Sequence, residues 1–383
     1  MEKYKVAFIH NIIAPYRVPL FEHLSRHPSI ELFVYFCANT HKNRRWGVLE
    51  SNKYDYKVLQ GVTLILFGYN YHVNPSIVSK LIKGKYDVVI LSGNPDFTTH
   101  IAFLTCKLLK IPVIWWSEGI ENSQSMAGKL INPITKYIVK NVNSIIVPGN
   151  LSLNFHVKMG AEFDKIFLAP NTIDNDLFIK NSSQIKKDKS EFKRSLNFDN
   201  KEVILYLGQL IEVKGVEYLI KAYNMLKQEH DEICLNIIRE GVLKDKLEKM
   251  CIENNIKDVY FKGWVSEEMK YIYYSTSDLF VLPTLDDVWG LVINEAMCCG
   301  LPVISTKAAG ASWDMIIPEE NGYVVEPSNL DQLYLAMKNI MEDKFLRDKM
   351  GKKSLEIVKT KFNIANMING FVSAIEYSLV NCK

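Results

Sequence analysis

Two carboxylates eight residues apart, Asp287 and Glu295, frame the chemically richest stretch of this chain, Pro283 to Ser305, PTLDDVWGLVINEAMCCGLPVIS. Ahead of it an apolar run, Leu279 to Leu282, reads as a buried strand ending in Pro-Thr. After the acidic loop come Gly290, an apolar segment of helical character, Gly-Leu-Pro and a second strand at Val303-Ile304. The loop therefore opens onto a helix N-terminus. There the N–H groups of Gly290, Leu291 and Val292 lack an intrahelical acceptor, and the helix dipole favours an anion. Glu295, about one turn into the helix, is placed to accept two hydroxyl hydrogen bonds from a ribose. Asp287 lies toward the other end of such a ligand. The layout suits a nucleotide diphosphate carrying a polar group. Either acid alone would fit a buried βαβ corner with solvated carboxylates; the combined spacing of Pro, Thr, two acids and Gly-x-Pro does not.

A second phosphate-binding arrangement precedes it. The strand Val203–Leu207 runs into Gly208-Gln209-Leu210, then Lys214-Gly215, then an amphipathic helix with Val216, Leu219, Ile220, Tyr223 and Leu226 on one face. Backbone N–H groups and one ammonium, that of Lys214, can meet the same anion there. Early in the chain, Arg17 in Ile-Ala-Pro-Tyr-Arg reads either as a phosphate or acceptor contact or as a surface arginine at a helix start. The loop Asn39–Trp46, NTHKNRRW, reads as an acceptor or membrane contact or as a plain surface loop.

The elements that would position these residues alternate along the first half. Lys5–Ile9, Leu32–Phe36, Leu64–Phe67, Asp87–Leu91, Val113–Trp116, Ser144–Val147 and Lys165–Leu168 read as strands. Pro15–His23 and about Thr98 to Leu109 read as helices, the latter with Ile101, Leu104, Leu108 and Leu109 at helical spacing. Such alternation predicts a mostly parallel sheet covered on both faces, with ligands at the carboxyl ends of the strands. The loops His10–Arg17, Ser92–Phe97 and Ser117–Glu121 then matter most. Residues 180–200 are polar and lysine-rich and read as a linker.

A chain of 383 residues suits two domains. Its seven cysteines are scattered without a C-x-x-C pair, which argues for a reducing compartment and against structural zinc. No run reaches the roughly 18 apolar residues of a spanning helix. The short apolar run after Lys5 reads as a first strand rather than a secretory signal. Charge is uneven: residues 1–178 hold 19 Lys/Arg against 13 Asp/Glu, the remainder 27 against 30. A basic first half suits an anionic membrane surface, a phosphorylated acceptor or plain solvation; no nucleic-acid partner is expected.

The segment from Pro283 resembles the signature of retaining glycosyltransferases of family 4, in the subset with Asp-Val-Trp-Gly-Leu-Val-x-Asn-Glu-Ala. The family pattern, Pro-Ser/Thr-x-x-Glu-x-x-Gly-Leu-x-x-x-Glu, has Asp287 here at its first acid and Glu295 at its second. The resemblance implies an α/β chain of the GT-B fold, two Rossmann-like domains with parallel sheets facing a central cleft. Residues 1–180 would bind the acceptor, 181–361 the donor, and 362–383 would form a helix packing back on the first domain. Gly208, Gln209 and Lys214 match the family's Gly-Arg-x-x-x-x-Lys-Gly, with Gln in place of Arg. Arg239, in Arg-Glu-Gly, stands where the family has Gly-x-Gly against the nucleotide. Phe261-Lys-Gly-Trp-Val resembles the loop that reads the nucleobase edge, implicating Gly263 and Val265. Glu118 falls where many relatives have a histidine approaching the donor sugar, and reads either as a catalytic carboxylate or as a helix cap. Pro170-Asn-Thr-Ile-Asp-Asn-Asp resembles the segment closing the first domain; its Asp174-x-Asp176 also has metal-motif spacing, discounted because the rest matches a metal-independent fold.

The resemblance thus implies transfer of a sugar from a UDP- or GDP-linked donor to a glycan or lipid-linked acceptor. Phosphates would sit at Lys214 and the N–H groups of residues 290–292, ribose at Glu295, and the sugar at Asp287, with no metal or other cofactor. Bacterial cell-envelope polysaccharide assembly, lipopolysaccharide or capsule, is the implied setting. The protein would then be cytoplasmic, or peripheral on the inner face of the membrane. A nucleotide-sugar epimerase and a non-catalytic nucleotide-sugar-binding partner remain as alternatives.

Overall fold

The structure, a computed structural model, describes residues 3–40, 53–66, 69–92, 96–121 and 126–381. The chain divides into two compact units, Met1–Pro170 with Ile364–Lys383, and Asn171–Asn363.

In the first unit the order is β1 (Tyr4–Ile12), α1 (Val18–Arg26), β2 (Ile30–Ala38), β3 (Asp55–Val58), β4 (Val62–Leu66) and β5 (Tyr69–Val73). Then follow α2 (Ser76–Gly84), β6 (Val88–Ser92), α3 (Phe97–Leu109), β7 (Val113–Trp116) and α4 (Met126–Asn141). The sequence closes with β8 (Ser144–Val147), α5 (Asn150–Lys158) and β9 (Ile166–Leu168). Seven strands form a parallel sheet in the order β3-β2-β1-β6-β7-β8-β9. Its central strands β6, β7 and β8 are buried throughout, as expected of parallel strands covered on both faces.

The second unit runs α6 (Asn175–Lys187), α7 (Lys189–Ser195), β10 (Glu202–Leu207), α8 (Val216–Lys227), β11 (Ile233–Ile238), α9 (Lys244–Glu253) and β12 (Val259–Gly263). It continues with α10 (Glu267–Thr276), β13 (Leu279–Leu282), α11 (Leu291–Cys298), β14 (Val303–Thr306), α12 (Ser312–Met315) and β15 (Gly322–Val325). Helices α13 (Leu330–Glu342) and α14 (Lys344–Thr360) complete it. Its parallel sheet has the order β12-β11-β10-β13-β14-β15. In each sheet the direction of winding reverses once, between β1 and β6 and between β10 and β13. Crevices at the carboxyl ends of those strand pairs are where such sheets bind ligands.

The last helix, α15 (Ile364–Val380), packs in the first unit. Phe371 meets Phe8 and Trp116 at ring distances of 5.9 and 5.4 Å, and the Ser144 and Ser378 hydroxyls bond at 2.8 Å. At Gly370 a Cβ would lie 2.2 Å from the Leu168 carbonyl, so the helix lies against the β9 backbone only because that position has no side chain.

Three expectations change. Leu64–Phe67 is not a strand of the parallel series: β4 pairs antiparallel with β5 as a separate hairpin. The three residues between β3 and β4 are too few for the crossover that a parallel neighbour requires. Residues 180–200 are no linker, because α6 and α7 occupy them as far as Ser195. Three of their five lysines are tied to the second unit: Lys186 donates to the Cys299 carbonyl at 2.6 Å, and Lys189 and Lys193 each reach the Asp278 carboxylate at 2.8 Å. Apolar packing matches this, with the Phe178 ring 4.7 Å from that of Tyr271. Finally, α3 buries Ala102, Phe103 and Cys106 and turns Leu104 and Leu108 to solvent. Residues 41–46 of the basic loop lie outside the described residues.

Candidate functional site

Two loops at the carboxyl ends of β10 and β13 are clamped together in the second unit. Leu285 donates its N–H to the Val213 carbonyl at 2.7 Å, and the Thr284 hydroxyl donates to the same oxygen at 2.9 Å. The loops approach so closely at Gly215 (φ 64°) that a Cβ there would lie 2.2 Å from the Pro283 carbonyl. The clamp puts Lys214 Nζ 2.6 Å from Asp287 Oδ2, each side chain about one-fifth exposed. The Asp287 backbone is held from the other side: its N–H donates to the Ala308 carbonyl, and its own carbonyl accepts from the N–H of Gly310, both at 3.0 Å. Gly290 (φ 95°) then starts α11, and no side chain caps that helix. The first-turn N–H groups at Gly290, Leu291 and Val292 accordingly stand beside a fixed ammonium–carboxylate pair.

Glu295 is buried, and its carboxylate accepts from Lys270 Nζ at 2.6 Å and from the Tyr274 hydroxyl at 2.7 Å. Burial alone would lower the Lys270 ammonium, but the Glu295 and Glu267 carboxylates outweigh it and raise its pKa. Burial and Glu295 push the Tyr274 phenol well above its ordinary range. Lys270 and Tyr274 were not among the sequence-predicted residues. Their signal was the four-residue spacing on α10, which aims both at one carboxylate.

The remaining predicted donor residues lie at neighbouring strand ends. Gly208 follows β10, where a Cβ would sit 2.5 Å from the Tyr206 hydroxyl, and Gln209 is exposed. Arg239 follows β11 with φ 109°, a conformation that costs a non-glycine residue about 1–3 kcal/mol. Its N–H bonds the Gly263 carbonyl at 2.7 Å, and among the described residues its guanidinium has no hydrogen-bond or ion-pair partner. Gly263 (φ 67°) ends β12 and Val265 follows two residues later, both buried. Asp174 and Asn175 are used structurally: the first caps α6 by accepting from the Leu177 N–H at 3.0 Å, the second bonds the Val358 and Phe362 carbonyls. Cys298 and Cys299 are buried and free, with burial pushing the Cys299 thiol up to about 12.

In the first unit Arg17 is neither a surface residue nor an open cation. It is 6% exposed, its guanidinium lies 4.5 Å over the Trp116 ring, and it forms an ion pair with Glu118. Glu118 is partly exposed rather than buried, and Arg17 holds it at the end of β7. His10, Ser92 and Trp116 complete a cluster at the carboxyl ends of β1, β6 and β7; sequence reasoning flagged their loops but not these side chains. The Ser92 hydroxyl donates to the Ile9 carbonyl at 2.9 Å, so the hydrogen bond between it and His10 Nδ1 is one in which the imidazole donates. His10 stacks on Trp116 at 5.7 Å.

Burial, then Arg17, lowers the His10 pKa from 6.5 to about 3. A histidine that stays neutral when folded but protonates when unfolded costs stability as pH falls below 6.5, until the folded pKa is reached. Acidification from pH 7 to pH 5 is expected to remove about 2 kcal/mol through this residue. Melting of wild type and His10→Phe at both pH values tests it; equal pH dependence of the two would overturn it.

Residues 188–356 match the family described as Glycosyl transferases group 1. The chain is similar to an uncharacterized glycosyltransferase of Methanocaldococcus jannaschii, 28% identical over 306 residues, 77% of this chain and 76% of that one. It is also similar to the capsular polysaccharide biosynthesis glycosyltransferase CapM of Staphylococcus aureus, 26% identical over 266 residues, 68% of this chain and 62% of that one. Among solved structures, Anabaena HepE in complex with UDP aligns with a TM-score of 0.78 at 16% identity, over 97% of this chain and 99% of that one. That likeness is one of fold: the chain has the GT-B fold, two domains built on parallel sheets.

Proposed function

We propose that this chain is a retaining glycosyltransferase that binds a nucleotide-diphosphate sugar on its second unit and transfers the sugar to a glycan or lipid-linked acceptor. The observation that carries the reading is the Lys214–Asp287 pair, clamped 2.6 Å apart beside the uncapped start of α11. An ammonium and a helix N-terminus on one side of a fixed carboxylate form a cradle for a diphosphate with a polyhydroxyl group next to it. Glu295, oriented by Lys270 and Tyr274, retains lone pairs for ribose hydroxyls. Arg239, whose guanidinium has no hydrogen-bond or ion-pair partner among the described residues, would supply the positive charge that Gln209 does not.

In the reaction the bond between the anomeric carbon and the diphosphate oxygen breaks, and the acceptor hydroxyl oxygen bonds to that carbon as its proton passes to an oxygen of the departing diphosphate. Charge develops on the departing diphosphate, where Lys214 and the α11 N–H groups would stabilise it without reorganising. Asp287 would hold sugar hydroxyls. Retention follows either from same-face attack or from a covalent intermediate, for which Glu118 is the carboxylate. We place no metal in the mechanism: of the two carboxylates of the metal-like motif, Asp174 is engaged in capping α6, and the cationic groups on the leaving diphosphate are Lys214 and Arg239. The similarity to CapM, a capsular polysaccharide biosynthesis glycosyltransferase, supports an acceptor in cell-envelope polysaccharide assembly.

A non-catalytic nucleotide-sugar binder is the second reading, favoured by the exposed neutral Gln209. Thermal stabilisation by UDP, GDP, ADP and CMP separates the possibilities. At about 100 times its dissociation constant the matching nucleotide should add about 2.7 kcal/mol. A response to none overturns donor binding. A response without turnover of any sugar carrying that base leaves the non-catalytic reading, and an inverted product anomer overturns retention.

A further inference from the structure

Helix α3 is apolar on two faces. One face, with Ala102, Phe103 and Cys106, is buried against the sheet of the first unit. On the other, Phe97, Leu104 and Leu108 are 44%, 58% and 85% exposed, with half-buried Ile101 between them. Single exposed leucines are ordinary, but an apolar stripe along the whole of a helix marks an interaction surface. The stripe continues on both sides. Phe97 lies 6.2 Å from Tyr71, whose cross-strand neighbour is the exposed Leu64 of the β4–β5 hairpin. On the other flank the buried Phe103 meets Tyr137 of α4 at 6.3 Å, and Tyr137 and Ile134 are exposed there.

Charge identifies what this surface fits. The sequences of α2, α3 and α4 contain six lysines and no aspartate or glutamate. Lys83, Lys107, Lys136 and Lys140 are exposed, and none has an acidic partner among the described residues. All three helices feed the core on one face of the sheet, so their lysines share one outer surface. A second copy of the chain would set these lysines against their own kind. A sheet of lipid phosphates over hydrocarbon answers both the unpaired charges and the leucines. No helix of the described residues is long and apolar enough to cross a membrane, so such a contact lies on the surface of the bilayer.

We propose that the outer face of α2, α3 and α4 docks on an anionic lipid bilayer, with Leu104 and Leu108 entering the interface and the surrounding lysines meeting lipid phosphates. This inference uses no residue of the donor site. Vesicle binding without sugar transfer would leave it standing while counting against the enzymatic reading.

The test is co-sedimentation of the full chain with vesicles of mixed phosphatidylcholine and phosphatidylglycerol, or of phosphatidylcholine alone. Binding is expected only to the mixed vesicles, and high salt should weaken it about tenfold or more. Lys107→Gln with Lys136→Gln should weaken it about thirtyfold. Leu104→Ser with Leu108→Ser should weaken it about tenfold, with melting unchanged because both side chains are already exposed. The proposal is overturned by absence of binding to mixed vesicles, by equal binding to phosphatidylcholine alone, or by full binding in either double variant. Self-association of the wild type that the leucine variant abolishes would make the occupant a second copy instead, and would also overturn it.

Discussion

Glu295→Ala is expected to cost the folded protein about 3–5 kcal/mol in the absence of any ligand, because it leaves the Lys270 ammonium buried without its main partner. A nucleotide-binding assay on that variant alone would therefore confuse a damaged fold with a lost contact. The double variant Glu295→Leu with Lys270→Met separates them. Replacing both charges by apolar groups of similar size removes the desolvation penalty along with the attraction, so the share of the loss owed to the ammonium should return, while the Tyr274 hydroxyl lacks its carboxylate in both variants. Stabilisation by the matching nucleotide should not return, since no carboxylate remains for the ribose. Denaturant unfolding, with and without nucleotide, reads both quantities. If the double variant regains the nucleotide response, Glu295 is a packing residue and the ribose lies elsewhere. If Glu295→Ala loses less than about 1 kcal/mol, the Lys270 pair is solvated and the electrostatic argument fails.

Much of this architecture is readable from local pattern. Parallel strands buried on both faces are written as short apolar runs, and β6, β10, β13 and β14 stand where those runs occur. The acidic loop and α11 are equally local, since Gly290, Asp287 and Glu295 lie within nine residues of one another. What the pattern hides are pairings across the chain. Arg17 and Glu118 are 101 positions apart and meet because β1 and β7 flank β6. Taken singly, each looks like a surface charge. Lys270 likewise reads as one more lysine on an exposed helix until the packing of α10 brings it to Glu295. Composition misleads between 180 and 200, where lysines that resemble linker solvation are bound to Asp278 and a carbonyl. On α3 spacing alone cannot say which of two apolar faces is buried, because Ala102, Phe103 and Cys106 repeat at helical period just as Leu104 and Leu108 do.

Lys214→Ala is expected to lower kcat for sugar transfer by about a hundredfold to a thousandfold, the usual effect of removing one preorganised group from a developing negative charge. Because Lys214 also holds Asp287 at 2.6 Å, the loss has two possible origins, and a double-mutant cycle distinguishes them. If the lysine acts on the diphosphate, Asp287→Asn and Lys214→Ala should each reduce kcat, and the double variant should fall further than either. If its work is only to aim Asp287, the double variant should be no worse than Asp287→Asn. Lys214→Arg sharpens the comparison. It keeps the charge but lengthens the side chain in a loop fixed by Gly215 and Pro283, so a partial activity, about a tenth of wild type, is expected. Single-turnover measurements with saturating donor check the assignment, since the effect should appear in the chemical step rather than in donor affinity. An unchanged kcat in Lys214→Ala would remove this residue from the mechanism and leave the α11 N–H groups and Arg239 as the groups that face the leaving diphosphate.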